Sequence, residues 1–223
     1  MPTPADPSRR LLITAGPTHE PLDAVRYLAN RSSGRLGLAL TEAAARRGHR
    51  TTLLLGPTWL QPPESTAVRV IRFQTAAELQ AELRRCWPVH DVLIMAAAVA
   101  DFRPASGTGS GKITRGEGGL TLHLEPTPDL LADLAGRTRD DQTVIGFALE
   151  PPDRLEESAR RKLDRKGVHA IVANPLQTMD AQRITAAVHL RDGRVLSPPP
   201  DLTKADFAEW LLDQLPRICG DER

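Results

Sequence analysis

Short apolar runs alternate with amphipathic helical patterns along most of this chain of 223 residues. The runs that read as strands cover residues 11–15, 51–55, 68–73, 92–97, 144–149 and 170–173. Alternation of this kind predicts a parallel, doubly wound sheet with right-handed crossovers. The fourth run is apolar throughout, which is typical of a strand that is buried on both faces.

The segments between these runs carry helix start and stop signals. Thr75 with Glu78 forms a capping box, and Asp153 and Gly167 bracket another helix. The predicted helices cover residues 36–47, 76–87, 128–136 and 154–166, the third capped by Thr127, and Thr203 begins a final amphipathic helix. The predicted fold class is therefore α/β, a Rossmann-like, doubly wound, mainly parallel sheet.

A β-hairpin is predicted over residues 184–196, because apolar and polar residues alternate on either side of the turn signal Asp192-Gly193. An isolated hairpin is marginal in water, so its apolar face, with Val188, must pack on the final helix or on a second copy of the chain. His169 and His189 are expected at the surface. The sequence thus predicts a flexible tail at residues 1–10 and a single domain at 11–219 with an appended hairpin and C-terminal helix.

Composition excludes several classes of partner. The net charge is +1 and the aromatic content is 4%, so neither a polyanion-binding surface nor a stacking platform for nucleic acid is expected. No apolar run approaches the roughly 20 residues of a membrane span. Cys86 and Cys219 belong to no CxxC pair, which favours a reducing, cytoplasmic setting. The histidines show no metal-ligand spacing, so no protein metal site is predicted.

Unusual residues follow several predicted strands, at the edge where open parallel sheets bind ligands. They lie at 16–18, 30–37, 98–103, Glu150 and Asn174. Gly34 and Gly37 let the backbone approach a ligand, and Ser32 and Ser33 beside the helix N-terminus make an anion site. The alternative is a well-capped helix start, although loops as long as the one before it are more often functional.

Two further groups of cations lie near this edge. Lys162 and Lys166 border the buried face of one helix and belong either to a solvated face or to a triphosphate site. Other cations of that helix are expected to point elsewhere, namely Arg160, Arg161 and Arg165. The glycine-rich segment 107–119 carries Lys112 and Arg115 and reads as a mobile loop.

These segments resemble phosphopantothenate–cysteine ligase, the C-terminal half of bifunctional flavoproteins of coenzyme A biosynthesis, over residues 10–215. The matching motifs are Asn-x-Ser-Ser-Gly at 30–34 and Ala-Val-Ala-Asp-Phe at 98–102. Further matches lie at 13–18, 23–29, 112–113, 127–131, 146–150 and 162–163. The chain departs from the family pattern at Pro151, Pro175 and 178–183, which bears on base choice and on the dimer-side loop.

The resemblance implies a ligase that joins 4′-phosphopantothenate and cysteine. The carboxylate of phosphopantothenate attacks the α-phosphate of a nucleoside triphosphate, CTP or ATP and usually CTP in bacteria. Pyrophosphate leaves, and the cysteine amine then displaces the nucleotide from the acyl-nucleotide, an acyl-cytidylate where CTP is used. The resemblance also implies Mg²⁺ with the triphosphate, no flavin in this chain, a homodimer with Val188 at its interface, and a flavin decarboxylase as a separate or fused partner.

Motif matching also assigns roles to residues. Asn30 is expected to hold the reacting carboxylate or acyl phosphate, and Lys112 to close over the phosphates; these two are the catalytic candidates. Substrate and phosphate contacts are expected from Gly16, Thr18, Arg31, Ser32, Ser33 and Gly34. Nucleotide contacts are expected from Ala96, Ala97, Asp101, Lys112, Pro128, Asp129, Leu130, Leu131, Phe147, Lys162 and Lys166.

Two other functions fit the same predicted sheet, namely a nicotinamide-dependent oxidoreductase and a non-catalytic nucleotide-binding regulator. The chain contains neither GxGxxG nor Gx4GK[ST], and its second strand ends in Leu55-Gly56 where a dinucleotide site has an acid. The sequence therefore favours the ligase. Release of pyrophosphate that depends on both phosphopantothenate and CTP distinguishes it from the other two.

Overall fold

Eight strands form the main sheet, and the computed structural model describes residues 8–105, 111–116, 118–179 and 181–221. The strands are β1 (Arg10–Ala15), β2 (Arg50–Leu55), β3 (Val68–Arg72), β4 (Val92–Met95), β5 (Thr143–Glu150), β6 (Ala170–Pro175), β7 (Ala187–Leu190) and β8 (Val195–Leu196). Their order across the sheet is β8-β7-β6-β5-β4-β1-β2-β3. Strands β1 to β6 pair in parallel, as the sequence predicts, and β7 and β8 add an antiparallel edge.

Helices cover both faces of this sheet. They are α1 (Arg35–Arg46), α2 (Ala76–Cys86), α3 (Leu130–Ala135), α4 (Leu155–Lys166), α5 (Lys204–Asp213) and α6 (Leu215–Cys219). One buried apolar cluster joins the sheet to α1, α5 and α6, through residues such as Leu40 and Phe207. A second cluster joins it to α2, α3 and α4, through residues such as Leu79 and Leu131. The predicted doubly wound α/β fold is therefore confirmed.

The helix starts agree with the predicted caps only in part. Thr75 and Thr203 cap α2 and α5, each accepting a hydrogen bond from the N–H three residues on. Helix α3 begins after Asp129 rather than Thr127, because the Thr127 hydroxyl donates to a carbonyl of the neighbouring loop. Asp153 lies in a short 3-10 turn and does not cap α4.

Among the described residues, three antiparallel strand pairs lie outside the main sheet. They join His19–Pro21 to Tyr27–Ala29, Phe102–Pro104 to Leu124–Pro126, and Arg183–Ile184 to Leu202–Thr203. The first two pairs are neighbours, since His19–Pro21 contacts Phe102–Pro104. Both stand at the carboxyl-end side of the sheet, because each follows directly on a strand of its centre.

The predicted hairpin forms between β7 and β8, around Asp192-Gly193, and its apolar face packs on α5, one of the two partners that the sequence allowed. It differs from the prediction in its start and in its place in the fold. Ile184 pairs with Leu202 in a separate two-stranded sheet, whereas β7 and β8 extend the main sheet beyond β6. Val188 is fully buried and belongs to the same apolar cluster as Phe207 and Leu211 of α5. Placing Val188 at a dimer interface is therefore wrong, because the chain's own helices cover it.

His189 also differs from the prediction, since it is buried rather than at the surface. Strand β7 alternates, so the side chain after Val188 faces the other layer, where α4 contacts it. Burial lowers the pKa of His189. His169 is half-buried, and its Nδ1 accepts a hydrogen bond from Val144 N at 3.0 Å.

The start of the described chain is held to the domain. Arg10 is the first residue of β1, and Arg9 N donates to His49 Nδ1 at 3.1 Å. The Arg9 guanidinium also pairs with Asp221 near the other end of the chain. Residues 9 and 10 thus belong to the fold instead of the predicted flexible tail, and residues 1–7 lie outside the described part of the chain.

Candidate active site

A cleft of about 870 Å³ opens at the carboxyl ends of the central strands. Strand order reverses between β1 and β4, which is where open α/β sheets bind ligands. Most of the predicted site residues line this cleft. They are Asn30, Arg31, Ser32, Ser33, Gly34, Ala96, Ala97, Asp101, Pro128, Asp129, Leu130, Leu131, Phe147, Lys162 and Lys166.

The N-terminus of α1 forms one wall of the cleft. Gly34 stands before the helix with φ +77°, a left-handed conformation that glycine adopts without strain, and no side chain caps the helix. A Cβ at Gly37 would lie 2.4 Å from the Ala15 Cβ, so glycine lets α1 start directly against β1. The first-turn N–H groups and the positive end of the helix dipole therefore meet the cleft, as an anion site requires.

Asn30 joins two loops across the point where strand order reverses. Its Nδ2 donates a hydrogen bond to Val99 O at 2.8 Å, which ties the loop after β1 to the loop after β4. The amide also carries a second N–H and a carbonyl oxygen. Because Asn30 is exposed and lines the cleft, these groups are available to a bound carboxylate or phosphate.

Gly16 and Thr18 lie behind the cleft instead of lining it. Gly16 O accepts a hydrogen bond from Ala98 N at 2.9 Å, and Thr18 Oγ1 accepts one from Ala100 N at 2.9 Å. The prediction of direct substrate contacts is therefore wrong for these two residues. They hold the loop after β4 in place, because their polar groups are used within the protein.

The two lysines of α4 are held by carboxylates at the cleft wall. Lys162 Nζ lies 2.8 Å from Glu150 Oε1, and Lys166 Nζ lies 3.2 Å from Asp129 Oδ1. Their side chains are only 22% and 17% exposed, so the alternative of a freely solvated face is wrong. The hydrogen bond from Lys162 lowers the pKa of Glu150.

Arg165 also lines the cleft, contrary to the prediction that it points elsewhere. Its guanidinium nitrogen lies 3.8 Å from Asp129 Oδ2, so the start of α3 draws it toward the ligand side of α4. The cleft thus has three cations along one helix. Its electrostatic character suits a ligand with several negative charges.

Lys112 lies outside the lining of the cleft, and the backbone around it is bonded to the chain. Gly111 O accepts from Ala24 N at 3.4 Å, and Ile113 N donates to Asp23 Oδ2 at 3.0 Å. These bonds attach this part of the glycine-rich segment to residues 23–24, and its mobility stays a prediction. Residues 106–110 and 117 of the same predicted loop lie outside the described residues.

The family described as DNA/pantothenate metabolism flavoprotein C-terminal domain matches residues 7–218. The chain belongs to this family. It is 39% identical over 211 residues to the coenzyme A biosynthesis bifunctional protein CoaBC of Bacillus subtilis, covering 93% of this chain and 51% of that protein. It is also 44% identical over 169 residues to a cysteine/cysteine sulfinic acid decarboxylase of an unknown prokaryotic organism, covering 76% and 46%.

A crystal structure of the C-terminal domain of CoaBC gives the same fold. The TM-score is 0.81 at 34% identity, and the match covers 99% of this chain and 100% of that domain. The chain spans about half the length of the curated relatives it matches. The family resemblance that the sequence motifs predicted is therefore confirmed.

Several cleft residues were missed by sequence reasoning, although the family motifs lie beside them. They include Met95, Leu176, Thr178, Met179, Ile184 and Lys204. Asn174, which the strand-end rule did single out, lines the cleft and donates to Thr178 Oγ1 at 2.7 Å. Most of the missed residues follow β6, where the chain departs from the family pattern, so no motif marked them.

The cleft suits a cation that is brought by a ligand. Within residues 8–105, 111–116, 118–179 and 181–221, no group of three or more His, Cys, Asp or Glu side chains could hold a metal. Asp101 and Asp129 nevertheless supply carboxylates to the lining. Mg²⁺ bound to phosphates needs only one or two protein carboxylates.

In the described chain, the helices are too short or too polar to cross a bilayer.

Proposed function

We propose that this chain joins 4′-phosphopantothenate and cysteine through an acyl-nucleotide, with CTP as the activating nucleotide. One observation carries the proposal: the cleft brings the Asn30 amide, the N-terminus of α1 and the lysine pair of α4 together. Membership of the family over residues 7–218 supports the proposal, since the CoaBC relatives are named as coenzyme A biosynthesis proteins.

The first step forms the acyl-nucleotide. A carboxylate oxygen of phosphopantothenate attacks the α-phosphorus, the bond to the β-phosphate breaks, and pyrophosphate leaves. Such a transfer depends on positioning and charge neutralisation more than on a protein nucleophile. Asn30 would orient the carboxylate, while Lys162 and Lys166 would exchange their carboxylate partners for triphosphate oxygens. Mg²⁺, entering with the triphosphate beside Asp101, would offset part of the charge when bound.

The second step forms the amide. The cysteine amine attacks the acyl carbon, the carbon–oxygen bond to the nucleotide breaks, and CMP leaves with that oxygen while the amine loses a proton to solvent. Asn30 is placed to stabilise the charge that develops on the acyl oxygen, since its amide already spans the two loops. No covalent protein intermediate is required.

The nucleotide base would enter the apolar part of the cleft, between α3 and β5. Pro128, Leu130, Leu131 and Phe147 line this part. A Cβ at Gly146 would lie 2.6 Å from Leu131 Cδ2, so glycine keeps the helix close to the strand. An apolar surface of this kind suits the face of a nucleotide base, and the choice of CTP rests on the family resemblance.

The oxidoreductase alternative meets an obstacle at the end of β2. A dinucleotide fold places a ribose-binding acid there, whereas this chain has Leu55-Gly56. A Cβ at Gly56 would lie 2.2 Å from Pro17 O, so the segment after β1 closes over that strand end. The test is pyrophosphate release in mixtures of CTP, phosphopantothenate and cysteine. A ligase requires the first two, whereas an oxidoreductase or a regulator would release none.

We expect Lys162→Gln to raise the KM for CTP by about ten- to a hundredfold, because one charged hydrogen bond to the triphosphate is lost. Glutamine retains a donor for Glu150, so the fold should be preserved. Arg161→Gln is the matched control, since Arg161 is an exposed cation of the same helix outside the cleft lining. The KM for CTP of each variant is measured by steady-state kinetics with CTP as the varied substrate. An equal KM for both variants would remove Lys162 from the nucleotide site.

We also propose a cytoplasmic homodimer, acting with a flavin decarboxylase that is separate or fused. Val188 is excluded from the interface by its burial, but two neighbouring strand pairs and the segments beside their strands expose large apolar side chains. They are Val25, Tyr27, Phe102, Leu122 and Leu124. A second copy would cover this surface across a twofold axis. Light scattering at micromolar concentration should give the mass of two chains, and a single-chain mass would contradict the proposal.

A further inference from the structure

The carboxylate of Asp23 is almost completely buried and accepts hydrogen bonds from four donor groups. Its Oδ1 accepts from Val25 N and Arg26 N, both at 2.8 Å. Its Oδ2 accepts from Ile113 N at 3.0 Å and from the Arg26 guanidinium. The side chain is only 1% exposed. These bonds, the Arg26 guanidinium first among them, hold the pKa of Asp23 well below its usual range.

One oxygen of this carboxylate would suffice for a local turn. An aspartate turn needs an acceptor for the N–H groups two and three residues on, and Oδ1 fills that role. Oδ2 instead reaches a segment 90 residues away in sequence. Arg26 reinforces this link, since its guanidinium also donates to Ile113 O at 2.8 Å. The second oxygen therefore joins two segments and is not needed by the turn itself.

The two segments joined here carry the two catalytic candidates. Lys112 lies between Gly111 and Ile113, and both of these neighbours are bonded to residues 23–26. On the other side, the strand Tyr27–Ala29 leads directly from Arg26 to Asn30. Asp23 therefore ties the backbone beside Lys112 to the segment that leads to Asn30 at the cleft.

We propose that Asp23 is a positioning residue for the reaction, acting on turnover through Lys112. The inference rests on the proposed ligase function and adds a residue to it. Asp23 is buried and lies outside the cleft lining, so its part in the reaction would be to place the lysine. Its charge serves the link between segments, because Oδ2 faces two donors that a neutral side-chain amide would repel.

A double-mutant cycle tests this coupling. Asp23→Asn keeps an oxygen for the local turn but sets an N–H₂ group against Ile113 N. We expect Asp23→Asn to lower kcat about tenfold with little change in the KM for phosphopantothenate. In a Lys112→Gln background the same substitution should change kcat less than twofold. An equal loss of kcat in both backgrounds, or no loss in either, would overturn the proposal.

Limited proteolysis supplies a readout that does not depend on ligase activity. We expect trypsin to cleave after Lys112 at least tenfold faster in Asp23→Asn, since the adjoining Ile113 N–H is released. If the unsubstituted chain proves inactive as a ligase while this cleavage still accelerates, the link stands and the proposed function fails. Unchanged cleavage would show that Asp23 does not hold the segment, and would overturn the proposal.

Asp192→Asn is the matched control. Asp192 makes a similar turn, accepting from Arg194 N at 2.9 Å and from the Arg194 guanidinium at 2.7 Å, at the hairpin between β7 and β8. It should leave kcat and cleavage after Lys112 unchanged. If Asp23→Asn does not fold, Asp23→Ser replaces it, because the serine hydroxyl also supports the turn. The same two quantities are then measured, namely kcat and the rate of cleavage after Lys112.

Discussion

Asn30→Ala is expected to fold, to bind CTP and to lose about 10²- to 10³-fold in kcat. We expect the loss because the substitution removes the amide that donates to Val99 O and that we propose orients the reacting carboxylate. The melting temperature should change little, because Asn30 is exposed and packs in no apolar cluster. Activity is measured as amide product formed per unit time at saturating substrates.

Asn30→Asp sharpens this test. It has nearly the same size, but its carboxylate cannot donate to Val99 O and repels the carboxylate of the substrate. We expect a loss at least as large as that of the alanine variant. A folded alanine or aspartate variant that keeps kcat within threefold of the unsubstituted chain would remove Asn30 from the chemistry.

Val188→Asp is expected to unfold the chain at room temperature or to lower its melting temperature by tens of degrees. Val188 is fully buried, and an ionised carboxylate there has no partner among Phe207, Leu211 and their neighbours. Burying an unpaired charge costs several kcal/mol, which is much of the roughly 5–15 kcal/mol that stabilises a domain. Circular dichroism on heating measures the effect.

Val195→Asp is the control for this substitution. Val195 lies on the adjacent strand β8, pairs with His189, and is 45% exposed. We expect a loss of about 1 kcal/mol or less, since the new charge stays in water. If Val188→Asp proved as stable as Val195→Asp, then Val188 would not belong to the core of a single subunit.

Local signals in the sequence predict most of the fold. The six apolar runs appear as β1 to β6 within two residues of the predicted bounds. Most of them are buried on both faces, and a continuous apolar run is typical of such strands, whereas the edge strand β3 is only partly buried. The capping signals at Thr75 and Thr203 also predicted helix starts correctly, because a cap is formed by residues only three positions apart. The motifs at 30–34 and 98–102 located the cleft, because they lie in the loops that follow β1 and β4 at the same edge of the sheet.

The errors arose where the outcome depends on partners distant in sequence. The alternation around Val188 shows which face is apolar, but not that α5 covers it. Likewise, nothing near Lys162 indicates that Glu150 faces it, and nothing near Lys112 indicates that Asp23 holds the next residue. Tertiary placement decides such pairings, and a single sequence carries no signal for them.

Oxygen transfer from the substrate carboxylate tests the central proposal most directly. Phosphopantothenate carrying ¹⁸O in its carboxylate is incubated with the chain, CTP, Mg²⁺ and cysteine, and the products are analysed by mass spectrometry. Because the carboxylate attacks the α-phosphorus and the amide forms by loss of the nucleotide, we predict one ¹⁸O in CMP and none in pyrophosphate. Label in inorganic phosphate, or amide formation that leaves CMP unlabelled, would contradict the acyl-nucleotide route.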